Sequence, residues 1–347
     1  MVDFLEFLSY RLAFCGLPFA EVQDVLRTAR NGGDWGRACR SVATKCEELA
    51  RQAESAKRTT SAAQAWRWAA SAYHAATFAF HFDGGAMNPE DVLELRRAAR
   101  EMYLRSIPAD HLVETVRVEC GGLNVAGYWR TPKTTARGAV ALFNGLDSIS
   151  EVELHSFSDW LLARGLATLA LDLPACMSNE PRRPCFEVEQ LAPHISEWVA
   201  SRTSGANTGV AAFGVSFGGH LVARALSNGG RFVCGLAVSP CAWVDTTQLA
   251  SHRFRMMLAF GLGWPVSNGG NKSDSSVQLE GLPRPKSPLM VYHMDHDAVF
   301  GREHMESIVR WGGERVQVKN WEAEHVGTSR IHEWLPEACD WLAAQFK

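Results

Sequence analysis

The stretch Gly209-Val-Ala-Ala-Phe-Gly-Val-Ser-Phe-Gly-Gly219 constrains this chain more than any other: an apolar run stops at a serine boxed by glycines, and a helical run, His220 to Leu226, follows at once. Gly214-Val215-Ser216-Phe217-Gly218 fits G-x-S-x-G, in which a strand turns sharply into a helix and leaves the serine Oγ exposed at the tip. Such a turn brings neighbouring backbone so close that a Cβ at Gly214 or Gly218 is expected to collide with it. The Phe217 amide then stands at a helix N-terminus, where a free N–H and the positive dipole end supply half of an oxyanion hole. The bare pattern arises by chance. The apolar run before it and the small-residue helix after it (Leu221, Val222, Ala223, Ala225, Leu226) make it specific here.

Around this element the chain reads as two halves. Residues 1–108 carry helical period throughout. Phe4, Leu5, Leu8, Leu12 and Cys15 recur at three and four before Gly16-Leu-Pro18; Glu21 to Arg30 resumes the period and Asn31-Gly-Gly33 ends it. Asp34 caps a third segment, Trp35 to about Ser55, and a fourth runs from Ser61 to about Phe82. A fifth starts at Asn88-Pro89-Glu90 and reaches about Ser106. Trp66, Trp68, Tyr73, Phe78, Phe80 and Phe82 form an aromatic group within this unit; helical spacing favours plain core over a pocket for an aromatic ligand.

Residues 109–347 alternate strand and helix. Val113 to Glu119 and Leu123 to Trp129 read as a hairpin around Gly121-Gly122; Gly138 to Phe143, Ala167 to Asp172, Val210 to Phe213, Phe232 to Val238, Pro288 to His293 and Arg315 to Asn320 read as further strands. Helices are expected over Val152 to Arg164, Phe186 to Arg202 and Ile331 to Phe346. This interleaving predicts a mostly parallel sheet covered on both faces, an α/β fold, with reactive groups at the carboxyl ends of its strands. A stretch from about 243 to 285 interrupts the alternation as a lid-like insertion, in which Trp243, Phe254, Met256, Met257, Phe260 and Trp264 suit either a bulky aromatic substrate or lid packing.

A serine hydroxyl needs a base, and the base needs an orienting carboxylate. In the chain order serine, acid, histidine, the acid follows a strand after Ser216, and Pro288 to His293 leads into Asp295 and Asp297. Asp297 is preferred over Asp295 because strand alternation and the following Val299 suit a loop acid there. His325, in the loop after the last strand, is the base. The turn after Gly138 to Phe143, Asn144-Gly145-Leu146-Asp147, lies beside the elbow in this topology. The Leu146 amide is therefore the second oxyanion donor, and Asp147 either faces substrate or attacking water or caps the next helix with Ser148.

These residues resemble a known family. Gly127-Tyr-Trp-Arg-Thr-Pro132, Asn144-Gly-Leu-Asp-Ser148 with Glu151 and Glu153, Gly214-Val-Ser-Phe-Gly-Gly219, Asp297-Ala-Val299 and His325 before the Glu333-to-Trp341 helix are similar to the α/β-hydrolases. The branch is that of 2,6-dihydroxypseudooxynicotine hydrolase, the fungal polyketide-shortening hydrolases and the fermentation-respiration switch proteins. The resemblance implies an α/β-hydrolase fold, a mostly parallel central sheet with helices on both faces, plus an N-terminal all-helical cap. It implies a catalytic role for Asp147 beside Ser216, His325 and Asp297. It also implies cleavage of a carbon–carbon bond next to a ketone, or of an ester or thioester, in a bulky small molecule, with no cofactor. Acyl transfer from the same acyl-serine stays open, as does a non-catalytic regulator that keeps the fold. The residues depart from the family at Asn144 and in Asp172-Leu-Pro-Ala-Cys-Met177, which lacks the usual glycines.

Composition sets outer bounds. A net charge of −3 with no basic stripe or acidic tail gives no ground for a nucleic-acid partner. No apolar run approaches the ~20 residues of a membrane span, and the acid in Met1-Val-Asp-Phe-Leu-Glu is unlike a signal peptide, so a soluble cytoplasmic protein is expected. Nine cysteines without a C-x-x-C pair point to buried free thiols and no metal site. Phe4, Phe7, Leu8 and Leu12 are a face through which two chains could pair as a homodimer.

Overall fold

Continuous apolar runs, with no polar alternation, place Gly138–Phe143, Leu166–Leu171 and Val210–Val215 in the centre of a sheet, and every residue of these three strands is buried. The computed structural model describes residues 4–81, 89–110, 112–172, 188–203, 209–244 and 277–346. It contains one eight-stranded sheet in the order β1-β2-β4-β3-β5-β6-β7-β8. The strands are β1 (Val113–Cys120), β2 (Leu123–Arg130), β3 (Gly138–Phe143), β4 (Leu166–Leu171), β5 (Val210–Val215), β6 (Phe232–Val238), β7 (Leu289–His296) and β8 (Val316–Glu324). The hairpin β1-β2 and the β2-β4 pair are antiparallel, and all other neighbours are parallel.

Strand alternation splits the core into two layers. Ala139, Ala141 and Phe143 face α7 (Val188–Arg202) and α8 (Phe217–Asn228), while Val140 and Leu142 face α6 (His155–Leu162) and the closing helix α10 (Ile331–Ala344). The expected Val152-to-Arg164 helix begins with one π-helical turn, Ser150–Leu154, before α6. The sequence reading assigns no helix between Val299 and Arg315. The structure has one, α9 (Arg302–Gly312), which turns His304, Ile308 and Gly312 inward and packs Met305 and Trp311 against the main core.

The N-terminal unit comprises α1 (Phe4–Phe14), α2 (Phe19–Arg30), α3 (Trp35–Ser55), α4 (Thr59–Ala76) and α5 (Pro89–Ser106). The expected Ser61-to-Phe82 helix tightens into a 3-10 turn over Thr77–His81. Asp34 caps α3 by accepting from the Arg37 amide at 2.7 Å. Trp35, Trp66 and Phe78 are fully buried in a helical core that also takes in Tyr128 of β2, so this unit is packed against the hairpin side of the sheet. Leu8 and Leu12 turn into that core, while Phe4 stays exposed. Among the described residues no helix is long and apolar enough to cross a membrane, and seven cysteines are free and buried.

Candidate active site

Ser216 sits between β5 and α8 with φ 57° and ψ −125°, a conformation costing about 1–3 kcal/mol that persists only where its surroundings hold it. The holding bonds lie in the backbone: the Ser216 amide donates to Val238 O at 2.8 Å, and the Gly219 amide donates to Ser216 O at 2.9 Å. The glycines are steric requirements. A Cβ on Gly214 would run into the Gly218 carbonyl, and one on Gly218 would run into the Phe143 carbonyl and lie 2.8 Å from that of Asn144. Between Val210 and Leu226, Ser216 is the one residue that keeps partial exposure.

His325 follows β8 and Asp297 follows β7, and the parallel pairing of those strands puts the two residues side by side. His325 Nδ1 lies 2.8 Å from Asp297 Oδ2 and 2.9 Å from Oδ1. A carboxylate only accepts, so Nδ1 carries the proton and Nε2 is left as an acceptor, 3.0 Å from Ser216 Oγ. Asp297 also accepts from the Val299 and Phe300 amides at 2.8 Å each. Burial pushes its carboxyl up, but the His325 ring, its hydrogen bond and the two amides outweigh that and hold it below the usual range. Asp295 lies on β7 and is exposed to solvent. Phe300 meets the His325 ring edge-on, with centroids 5.4 Å apart.

The turn after β3 lies against the elbow, since a Cβ on Gly145 would stand 3.7 Å from Ser216 Cβ. Ser148 Oγ accepts from the Gly145 amide at 2.7 Å, and Asn144 Nδ2 donates to Gly145 O and Ser148 O, which fixes the turn carrying Leu146 and Asp147. Both of these are partly exposed in an otherwise buried run. Phe217 opens α8, where a helix leaves its first amides without intrahelical acceptors. The turn after β3 and the start of α8 therefore both adjoin Ser216.

Asp147 is not solitary. Arg11 of α1 binds it and also donates to Glu153 Oε1 from Nε at 2.9 Å and Nη2 at 2.6 Å, while His74 Nε2 lies 2.9 Å from the same oxygen. Burial pushes Glu153 up, yet His74 and Arg11 overcome it and bring it down to about 2. Arg96 of α5 reaches the Asp147 carbonyl at 3.4 Å. Sequence reasoning missed both arginines. Arg11 carried a signal, because it falls on the apolar stripe of Leu8 and Leu12, where a charge needs a buried partner.

Trp243 is half-buried, its ring tilted against that of His304 of α9 with centroids 4.1 Å apart, and packed against the main core. The chain leaving β6 pairs with its return, Val244 N to Val277 O at 3.1 Å and Leu279 N to Ala242 O at 2.9 Å. Phe254, Met256, Met257, Phe260 and Trp264 of the lid-like insertion lie outside the described residues, as does Phe82. Among the described residues no group of three or more His, Cys, Asp and Glu is arranged to hold a metal ion.

Comparison with known proteins agrees with this architecture. A family model described as "Esterase FrsA-like" matches residues 22–232, more than half of the chain. A model of the prolyl oligopeptidase family matches residues 192–346, which include Ser216, Asp297 and His325. No curated protein matches the sequence. Among solved structures, 2,6-dihydroxy-pseudo-oxynicotine hydrolase superposes with a TM-score of 0.83 at 17% identity, over 97% of this chain and 95% of its own. AbyA5 superposes at 0.64 and 17%, over 88% and 87%, and the Pyrococcus furiosus esterase Pf2001 at 0.51 and 17%, over 68% and 93%. At such identities the structural likeness bears on fold alone.

Proposed function

Because the chain belongs to the FrsA-like esterase family and is an α/β-hydrolase, we propose that it cleaves an acyl bond in a bulky, aromatic or polyketide-like small molecule through an acyl-enzyme on Ser216. The observation that carries this reading is the unbroken line Asp297, His325, Ser216, at 2.8 and 3.0 Å. With Nδ1 protonated and bonded to a carboxylate, His325 Nε2 can take the Ser216 proton as Oγ attacks a carbonyl carbon, and Asp297 stabilises the imidazolium that results. In this reading the Leu146 and Phe217 amides serve as the oxyanion donors; one such donor is typically worth ~3 kcal/mol in the transition state. Collapse of that intermediate passes the proton from His325 Nε2 to the leaving group. Water then repeats the cycle in reverse and frees the acid.

The leaving atom is a carbon next to a ketone, or the oxygen or sulfur of an ester or thioester. The carbon leaving group is what the sequence resemblance around Asn144 to Ser148 implies, and the likeness in fold to 2,6-dihydroxy-pseudo-oxynicotine hydrolase, which extends over the helical unit as well as the sheet, is compatible with a substrate enclosed between the two. In that reading Asp147, paired with Arg11 and partly exposed, faces the substrate or the attacking water. Purified protein and its Ser216→Ala variant should be assayed on p-nitrophenyl acyl esters and on an aryl 1,3-diketone. Diketone cleavage that exceeds ester cleavage and vanishes in the variant supports the carbon–carbon reading; ester cleavage alone makes the enzyme an esterase. If added alcohols are acylated in preference to water, it is an acyltransferase. Full activity in the variant would overturn the role of Ser216.

A further inference from the structure

The last residue of β6, Val238, and the residue that follows it, Ser239, each hold one half of the reacting pair. Val238 O accepts from the Ser216 amide at 2.8 Å, and Ser239 Oγ accepts from the Val326 amide at 2.9 Å, directly after His325. Val326 has φ 69° and ψ −16°, and Gly327 φ 63° and ψ 39°. Gly327 takes that conformation freely, but Val326 does not: a β-branched residue with positive φ is an outlier that needs an external hold. Its side chain is partly buried against one layer of the core, and its backbone N–H rests on Ser239. Ser239 is itself held: it is 2% exposed, has φ 47°, and donates its amide to Tyr292 O at 2.9 Å.

We propose that Ser239 is a positioning residue for His325: its hydroxyl keeps the backbone after the histidine in the left-handed turn that aims Nε2 at Ser216. The proposal rests on the reading of His325 as the base. The loop has other ties, but they lie further along. Trp334 Nε1 donates to Gly327 O at 2.8 Å, and the Glu324 carboxylate accepts from Thr328 Oγ1 at 2.8 Å and the Ser329 amide at 2.9 Å. Among the described residues, Ser239 supplies the acceptor for the amide bonded directly to the His325 carbonyl carbon. Without that acceptor, Val326 relaxes towards negative φ and carries the His325 Cα with it. Because β6 also holds Ser216, the strand end is the common reference for the two groups, and the 3.0 Å separation of Oγ and Nε2 depends on both of its residues.

The test compares wild type, Ser239→Ala, Ser239→Gly and the double variant Ser239→Ala with Val326→Gly. Steady-state hydrolysis of a p-nitrophenyl ester, fluorophosphonate labelling of Ser216 and the low-field proton resonance of His325 Nδ1–H against Asp297 are the three readouts. Ser239→Ala should lower kcat by about ten- to a hundredfold, as an ångström of misplacement does, with KM nearly unchanged and the low-field resonance broadened or lost. Glycine at 326 takes positive φ without strain, so the double variant should regain most of kcat and the resonance. Ser239→Gly accepts φ 47° with no Cβ and carries the same test should the alanine variant fail to fold. A wild-type kcat and unchanged resonance in both single variants would overturn the proposal, and so would a double variant as slow as Ser239→Ala. Wild-type protein that neither hydrolyses the ester nor takes the label would sink the hydrolase reading instead, and the resonance alone would then decide for or against Ser239.

Discussion

Arg11 of α1 holds Asp147, in the turn beside Ser216, through Nη1 to Oδ2 at 2.9 Å and Nη2 to Oδ1 at 3.2 Å. The same guanidinium lies over the Phe78 ring at 4.3 Å and bonds Glu153, so one side chain ties the helical unit to the turn that lines the site. Replacing it by methionine leaves the buried Glu153 with His74 and takes the guanidinium away from Asp147. Arg11→Met is expected to destabilise the protein by about 3–5 kcal/mol, as removal of one partner from a buried pair does. Urea unfolding followed by circular dichroism measures this, and an unchanged midpoint would contradict the role assigned to the pair.

Asp297→Asn retains the shape of the site but lets the amide donate to His325 Nδ1, which moves the histidine proton to Nε2 and leaves nothing to accept from Ser216. A loss of roughly 10³–10⁴ in kcat is expected, with KM little changed. Asp295→Asn, at an exposed position on β7, should leave kcat within about twofold, since surface substitutions away from special features have small effects. Parallel kinetics of the two variants decide the comparison; equal losses would count against Asp297.

Gly218→Ala is expected to remove turnover even if the protein folds. The added Cβ meets backbone, the Phe143 and Asn144 carbonyls, and backbone cannot rotate away as a side chain can. The displacement falls on the turn that carries the Leu146 amide, so the rate of acylation of Ser216 should fall by ~10² or more. Pre-steady-state release of p-nitrophenol reports that rate directly.

Glu151 offers a pH signature separate from catalysis. Burial, with Asp172 nearby, raises its carboxyl from 4.5 to about 7, while its Oε1 accepts from Tyr128 Oη at 2.7 Å. The folded protein therefore keeps the proton that the unfolded chain releases above pH 4.5, and stability falls as pH rises from about 4.5 to about 7, then levels. The total change is on the order of 3 kcal/mol. Glu151→Gln cannot ionise and should flatten that slope in chemical denaturation between pH 5 and 8, in steps of about one unit; an identical slope in the variant would show that other groups set it.

The elbow, the strand and helix alternation, and the order Ser216, Asp297, His325 were legible in the sequence because each is a local matter: glycines at fixed offsets from a serine, apolar runs of strand length, and loop residues just past strand ends. Parallel pairing then does the rest, since it brings the carboxyl ends of β5, β7 and β8 to one edge of the sheet. Helix α9 was legible too, since Met305, Ile308 and Trp311 recur at helical spacing, but the sequence reading passes over it.

What tertiary structure decided are the pairings between elements far apart in the chain. Arg11 and Asp147 are 136 residues apart, and Ser239 and Val326 are 87 apart. Nothing local to Asp147 distinguishes a helix cap from a carboxylate held by an arginine, and nothing local to Val326 foretells a positive φ. Amphipathic period assigns a residue to the inside of its element, but which partner it meets there depends on how the elements stack. Local pattern therefore picked out Ser216 and His325, whereas the packing of the helical unit determined how Asp147 is held, and the end of β6 how the backbone at Ser216 and after His325 is held.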